Sequence, residues 1–199
     1  MWHHGPVDGP GLEHKLYAAV DRLGNAVRAA RRRFATAHGL SLLQLQVVEL
    51  LGHEADPRAR VGTLAAELGV SSPTLSDAVA SLEAKGLLRR SPDPDDGRAS
   101  ILTLTPEGRH VAADADAALG PILDAARAVA PARRGAALEA ILEMIASLYR
   151  AGLISVDESC LTCDHYEAGP AGPSCALLGI ALRPENLRVR CPDHVPVSA

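Results

Sequence analysis

Residues 61–86 read VGTLAAELGVSSPTLSDAVASLEAKG, and the way glycine and serine punctuate this stretch decides the fold. Leu64 and Leu68, four residues apart, give a short helix one inward edge, and Gly69 breaks it. Ser72 reads as the cap of a second helix, with Pro73 in its first turn, where a missing N–H costs nothing. Leu75, Val79 and Leu82 supply the buried stripe of that helix and Gly86 stops it. Two short helices joined by a tight glycine turn form a helix-turn-helix. Beyond Gly86 the period changes: LLRRS at 87–91 and SILTL at 100–104 read as strands, and PDPDDGR at 92–98 reads as the turn-rich loop between them. A helix-turn-helix followed directly by a hairpin with a charged tip is a winged helix. The expected fold is therefore mainly α, an α+β winged helix-turn-helix.

Working outward, Ser41 and Gln44 make a capping-box pattern ahead of a helix with Leu42, Leu45, Val48 and Leu51 inward, ending at Gly52. Residues 53–60, charged and holding Pro57, read as a loop. Upstream, Leu12, Leu16, Val20, Leu23, Val27, Ala30 and Phe34 form a narrow stripe on a long helix closed by Gly39. Such a stripe serves equally as core within one chain or as a seam between two, and periodicity does not choose. Residues 1–11, with three glycines and two prolines, read as a loose arm. On the other side, Thr105 caps a helix with Pro106 and Glu107 in its first turn, and Gly120-Pro121 is expected to kink or split it. A last helix follows Pro131, carries Leu138, Ile141, Leu142, Ile145 and Leu148, and ends near Gly152.

Composition sets the outer limits. With 199 residues, 47% hydrophobic and 22% charged, the chain suits one large globular domain, or one plus an appendage, and not a disordered polymer. No apolar run approaches the roughly 18 residues of a membrane span, and the first residues lack the basic-then-apolar pattern of a secretory signal. We therefore expect a cytoplasmic protein with no membrane partner. The formal net charge is −4, so any contact with nucleic acid must come from a local basic patch.

The order of these elements resembles the MarR (multiple antibiotic resistance regulator) family of bacterial transcription factors. The resemblance is carried by LAAELGVS at 64–71, TLS at 74–76, LEAKGLL at 82–88, and above all RSPDPDDGR at 90–98 leading into LTLTPEG at 102–108. It spans roughly residues 12–150. It implies an obligate dimer built from the first and last helices. It also implies binding to a pseudo-palindromic duplex operator, usually as a repressor released by a small molecule or by oxidation. On that basis the chain divides into the arm 1–11, a dimerisation helix 12–40, a winged helix 41–108, dimerisation helices 109–151 and a tail 152–199.

The residues themselves agree with a DNA-reading role. Ser72, Thr74, Ser76 and Asp77 lie at the exposed N-terminal end of the second helix, where hydroxyls reach phosphates or base edges. Arg98 at the wing tip is placed to enter a neighbouring minor groove, and Lys85, Arg89 and Arg90 to lie along the backbone. Asp77 stands where related regulators often carry a base; facing the groove, it can accept from the N4 amine of cytosine. Residues 41–110 hold seven Lys/Arg against ten Asp/Glu, so few phosphate contacts per subunit are expected, and binding should depend on dimerisation. The run Arg31-Arg32-Arg33 reads as a solvated helix end, with a DNA contact as the alternative.

All four cysteines, Cys160, Cys163, Cys175 and Cys191, fall in the last 40 residues, spaced C-x2-C-x11-C-x15-C. The tail around them is interrupted by Pro and Gly and is too short to fold alone, so it needs a cross-link, a metal or docking on the main body. Stable disulfides are disfavoured in a reducing compartment, whereas four thiolates suit zinc or an iron–sulfur cluster. One close pair with two widely spaced single cysteines, the last followed by Pro192, favours the cluster; zinc remains the alternative. His165 and His194 stand near enough to replace a thiolate or hydrogen-bond to the sulfurs, though lone histidines are more often surface or outer groups.

Three functions follow. The first is a dimeric repressor whose operator affinity responds to an iron–sulfur cluster, sensing redox state or iron. The second is the same regulator with a structural zinc clip, released by a small aromatic or lipophilic ligand in the crevice between DNA-binding and dimerisation regions. The third is a cluster-bearing redox enzyme or electron carrier. Residues 1–150 show no nucleophile–base constellation and no phosphate-binding glycine loop, and Asp93, Asp95, Asp96 and His110 sit on or near an exposed wing, so a non-enzyme is expected.

Overall fold

The computed structural model describes residues 11–53, 59–93 and 100–197. The body begins with α1 (Leu12–Ala37) and α2 (Leu42–His53), then α3 (Val61–Glu67) and α4 (Ser72–Ala84). The hairpin β1 (Leu88–Pro92) and β2 (Ser100–Leu104) follows, and after it α5 (Pro106–Ala118), α6 (Gly120–Ala128) and α7 (Pro131–Arg150). The capping box forms as its spacing predicts: the Ser41 amide donates to Gln44 Oε1 and the Gln44 amide to Ser41 Oγ, each at 3.1 Å. Between α3 and α4, Gly69 has φ +63°, the left-handed value that lets the chain reverse in so few residues. The cap of α4 is Ser71, one residue earlier than its sequence suggests, and its Oγ accepts from the Thr74 amide. Either serine satisfies the chemistry, because Pro73 is tolerated at either of the first two helical positions. The expected break at Gly120-Pro121 is real: Leu119 ends α5 and caps α6.

One core unites α2, α4, the hairpin and α5. Leu45, Val47, Val48, Leu75, Val79 and Leu82 are fully shielded, each worth about 1.5–3 kcal/mol relative to exposure. Leu88, Leu102 and Leu104 close this core from the hairpin, whose register pairs Leu88 with Leu104 and Arg90 with Leu102. The Leu102 amide donates to the Ala59 carbonyl, so the segment before α3 borders the hairpin as well. Asp93 is buried at the base of the hairpin, where Arg60 Nε donates to its Oδ2 at 2.8 Å. Expected as part of an exposed wing, it is instead the wing's anchor, because a desolvated carboxylate needs such a partner.

The tail carries a second, small sheet that the sequence does not announce. It has antiparallel order β3 (Tyr166–Gly169), β4 (Gly172–Cys175), β5 (Ile180–Ala181). The tail docks on α7 through the Cys160–Thr162 turn and through the Pro184–Asn186 turn, which lies against Gly135. Arg150 also donates to the Leu161 carbonyl (3.3 Å). Docking is therefore one of the means that orders it. No single helix among the described residues is long and apolar enough to cross a membrane.

Candidate functional site

The candidate reading surface is the outer face of α4. Leu75, Ala78, Val79 and Leu82 point into the core, so the helical period turns Ser72, Thr74 and Asp77 to solvent, while Ser76 is half-buried. Thr74 also shares a 2.8 Å hydrogen bond with Ser71 Oγ, which fixes its hydroxyl at the helix start. No Lys or Arg lies within α4. Positive charge must therefore come from its flanks.

The flanking cations are already engaged to different degrees. Lys85 donates to the Gly39 carbonyl (2.6 Å) and to Gln44 Oε1 (2.9 Å), tying the end of α4 to the α1–α2 turn. Arg90 pairs with Glu83 (2.8 Å) and donates to the Ser76 carbonyl (3.3 Å). Arg89 is exposed on β1, and its Nε donates to Thr103 Oγ1 at 3.2 Å. Arg98 lies outside the described residues, as do Asp95 and Asp96. Within the Arg31–Arg33 run, Arg31 pairs with the buried Glu49 of α2 (2.8 Å), so this residue is an inter-helix strut and not a solvated end.

The four cysteines come from separate stretches yet line one small cavity, together with His165, Tyr166, Leu177, Leu178, Leu182 and Asp193. Cys160 and Cys163 sit at either side of a single 3-10 turn, Cys175 ends β4, and Cys191 lies on the returning terminal segment. All four are free thiols. Burial pushes the Cys160 thiol above its ordinary pKa; the Arg188 amide, donating to its Sγ at 3.3 Å, pulls the other way, and Cys191, Cys175 and Cys163 add to the rise. The Arg188 guanidinium also approaches Cys191 Sγ at 3.7 Å. The Cys160 thiol therefore resists ionisation unless positive charge comes to it. Among the described residues, no group of three or more His, Cys, Asp or Glu side chains stands ready to hold a metal ion as arranged. His165 borders the cavity, whereas His194 turns to Thr162 Oγ1 (3.2 Å).

Sequence reasoning missed the cations around these thiols. Arg188 and Arg190, three residues and one residue before Cys191, were there to be read as positive charge beside a thiol. Arg190 also reaches Glu67 of α3, a partner 123 residues away, which no local pattern discloses.

Similarity to known proteins covers the body. A model of the MarR family matches residues 38–99. The crystal structure of a transcriptional regulator of the MarR family from Silicibacter pomeroyi has a TM-score of 0.60 at 31% identity, covering 69% of this chain and 92% of that one. The transcriptional regulator BldR from Sulfolobus solfataricus shares the fold, with a TM-score of 0.55 at 24% identity over 70% of this chain and 99% of its own. The uncharacterized HTH-type transcriptional regulator YxaD of Bacillus subtilis (strain 168) is 45% identical over 53 residues, 27% of this chain and 37% of that relative's length, so the chain matches little more than a third of it. In both solved structures nearly a third of this chain has no counterpart. Joined to a helix-turn-helix with a hairpin wing, likeness at this level over nearly the whole of a solved member means that the chain belongs to the MarR family of transcriptional regulators.

Proposed function

We propose that the protein is a dimeric repressor that binds a pseudo-palindromic duplex and whose operator affinity depends on an iron–sulfur cluster held by Cys160, Cys163, Cys175 and Cys191. The observation that carries the proposal is the meeting of four thiols, drawn from separate stretches, around one cavity in a segment docked on α7. A single tetrahedral zinc, with bonds of about 2.3 Å, needs its sulfurs about 3.8 Å apart. A cluster spreads its thiolate bonds over several irons and accepts a wider set. One close pair with two widely spaced single cysteines suits that wider set. The operator side rests on the exposed Ser72, Thr74 and Asp77 of α4 and on Arg89, exposed on β1.

Anaerobically purified protein is expected to be brown, with iron and acid-labile sulfide in stoichiometric amounts, and to lose operator affinity when the centre is stripped. Colourless protein holding one zinc per chain would remove the cluster and leave the regulator.

A second reading keeps the regulator and gives it a small aromatic or lipophilic effector. Its support is a crevice of about 450 Å3 lined by Val20, Leu23, Val27, Leu42 and Ile141, with Arg28, Arg31 and Gln46 also at its walls. Release of the operator by such a ligand, with no change on stripping the thiol centre, would favour it.

A further inference from the structure

Arg190 stands between the thiol centre and the reading head. Its Nε donates to Glu158 Oε2 at 3.0 Å, and its Nη2 pairs with Glu67 Oε2. Glu158 lies two residues before Cys160, Arg190 one residue before Cys191, and Glu67 is the last residue of α3. The side chains of Arg190 and Glu67 are only 23% and 22% exposed, so the pair is partly shielded from water and salt.

The backbone laces the same two loops together. The Cys191 amide donates to the Glu158 carbonyl (3.0 Å), the Cys160 amide to the Arg188 carbonyl (3.2 Å), and the Arg188 amide to Cys160 Sγ. These hydrogen bonds give a displacement of Cys160 or Cys191 a contiguous route to Arg190. From Arg190 the displacement reaches the C-terminal end of α3, two residues before the Gly69 turn that sets α4.

We propose that the Glu158–Arg190–Glu67 bridge couples the thiol centre to the helix-turn-helix, with Arg190 and Glu67 as positioning residues. The proposal rests on the cluster reading above. With the centre filled, Cys160 and Cys191 are fixed, Arg190 is held against Glu67, and α3 is pinned to the tail. With the centre stripped, the 188–191 segment loosens, the bridge opens, and α3 with α4 gains freedom that weakens operator binding. A planar guanidinium suits the task because its Nε and Nη2 address two carboxylates at once, which an ammonium on a flexible stem does not do in fixed geometry.

The test is amide hydrogen exchange of residues 61–84 in the full chain, purified anaerobically and compared before and after stripping with a chelator. Wild type is expected to exchange about 5-fold faster or more once stripped, the lower end of ordinary coupling between sites. Glu67→Gln is expected to exchange at the stripped rate in both forms while keeping wild-type iron, sulfide and visible absorption. That retained spectrum separates coupling from general damage. A full wild-type difference in Glu67→Gln overturns the bridge. Should that variant fail to fold, Arg190→Lys serves instead: a clearly reduced difference supports the bridge and an unchanged one overturns it. Wild-type protein without iron and sulfide overturns the underlying cluster, and the bridge with it, before any variant is made.

Discussion

Lys85 and Arg89 carry the same charge four residues apart, but they have different surroundings. The Lys85 ammonium is spent on the Gly39 carbonyl and Gln44 Oε1, whereas Arg89 is exposed on β1 and makes one hydrogen bond to Thr103. The first is a clamp between the α1–α2 turn and the end of α4; the second is open to phosphate. Lys85→Ala should lower stability by about 1 kcal/mol, the net worth of such hydrogen bonds, read as a shift of the urea midpoint. It should leave the salt dependence of duplex binding as in wild type. Arg89→Ala should do the reverse: stability within about 0.5 kcal/mol, and a log–log salt slope reduced by about one for each phosphate that is no longer neutralised. Equal salt slopes in the two variants would contradict this division of labour.

At the scale of elements, the stretch 105–108 joins the hairpin to α5. The Thr105 amide donates to the Leu87 carbonyl (3.0 Å), its Oγ1 donates to the Gly86 carbonyl (2.7 Å), and the same Oγ1 accepts from the Gly108 amide (3.1 Å). Gly108 is packed so closely that a Cβ there would collide with the Leu87 carbonyl. Gly108→Ala should cost about 1–3 kcal/mol or more, as overpacking does. Gly62→Ala, placed in open space within α3, should be neutral or stabilising by up to about 1 kcal/mol. Urea titrations of the two variants side by side check the contrast. Elements of this kind were legible in the sequence because each is bounded by a local signal: a capping serine or threonine, a glycine in a turn, a helical stripe. The one-residue error at Ser71 arose because two adjacent serines offer the same hydroxyl. The tail sheet was illegible for the opposite reason. Strands of four, four and two residues, rich in Gly and Pro, show no alternation, and the segment docks on α7 through turns outside the strands. Cysteine spacing foretold that the thiols would gather, since Cys160 and Cys163 share a turn. It held nothing about Glu67, whose partner comes from the far end of the chain.

The question that periodicity left open, whether the α1 stripe is core or seam, belongs to the whole molecule. Ala35 is the only buried residue of α1, while Leu12, Leu16, Tyr17, Val20 and Leu23 stay exposed, Leu123 and Leu148 are uncovered on α6 and α7, and Val129 is uncovered between those two helices. So many large apolar side chains left to water on three helices mark a surface meant to be covered, and in the proposed dimer a second copy of the chain would cover it with the same residues. Leu16→Glu together with Leu23→Glu should yield a chain that sediments as a monomer, since two carboxylates per protomer would be buried without partners. The core of the reading head excludes both positions, so far-UV circular dichroism and the exchange protection of α2 and α4 should be kept. Operator affinity should fall by about 100-fold or more, because each half-site is then bound separately and the gain from linkage is lost. The tail docks on α7 of its own chain, so the monomer should also retain whatever the four thiols bind. A monomer that keeps its visible absorption but no longer distinguishes filled from stripped protein in duplex binding would place sensing in the spacing of two reading heads. A monomer that still distinguishes them at one half-site would place it in the bridge from Arg190 to α3 alone.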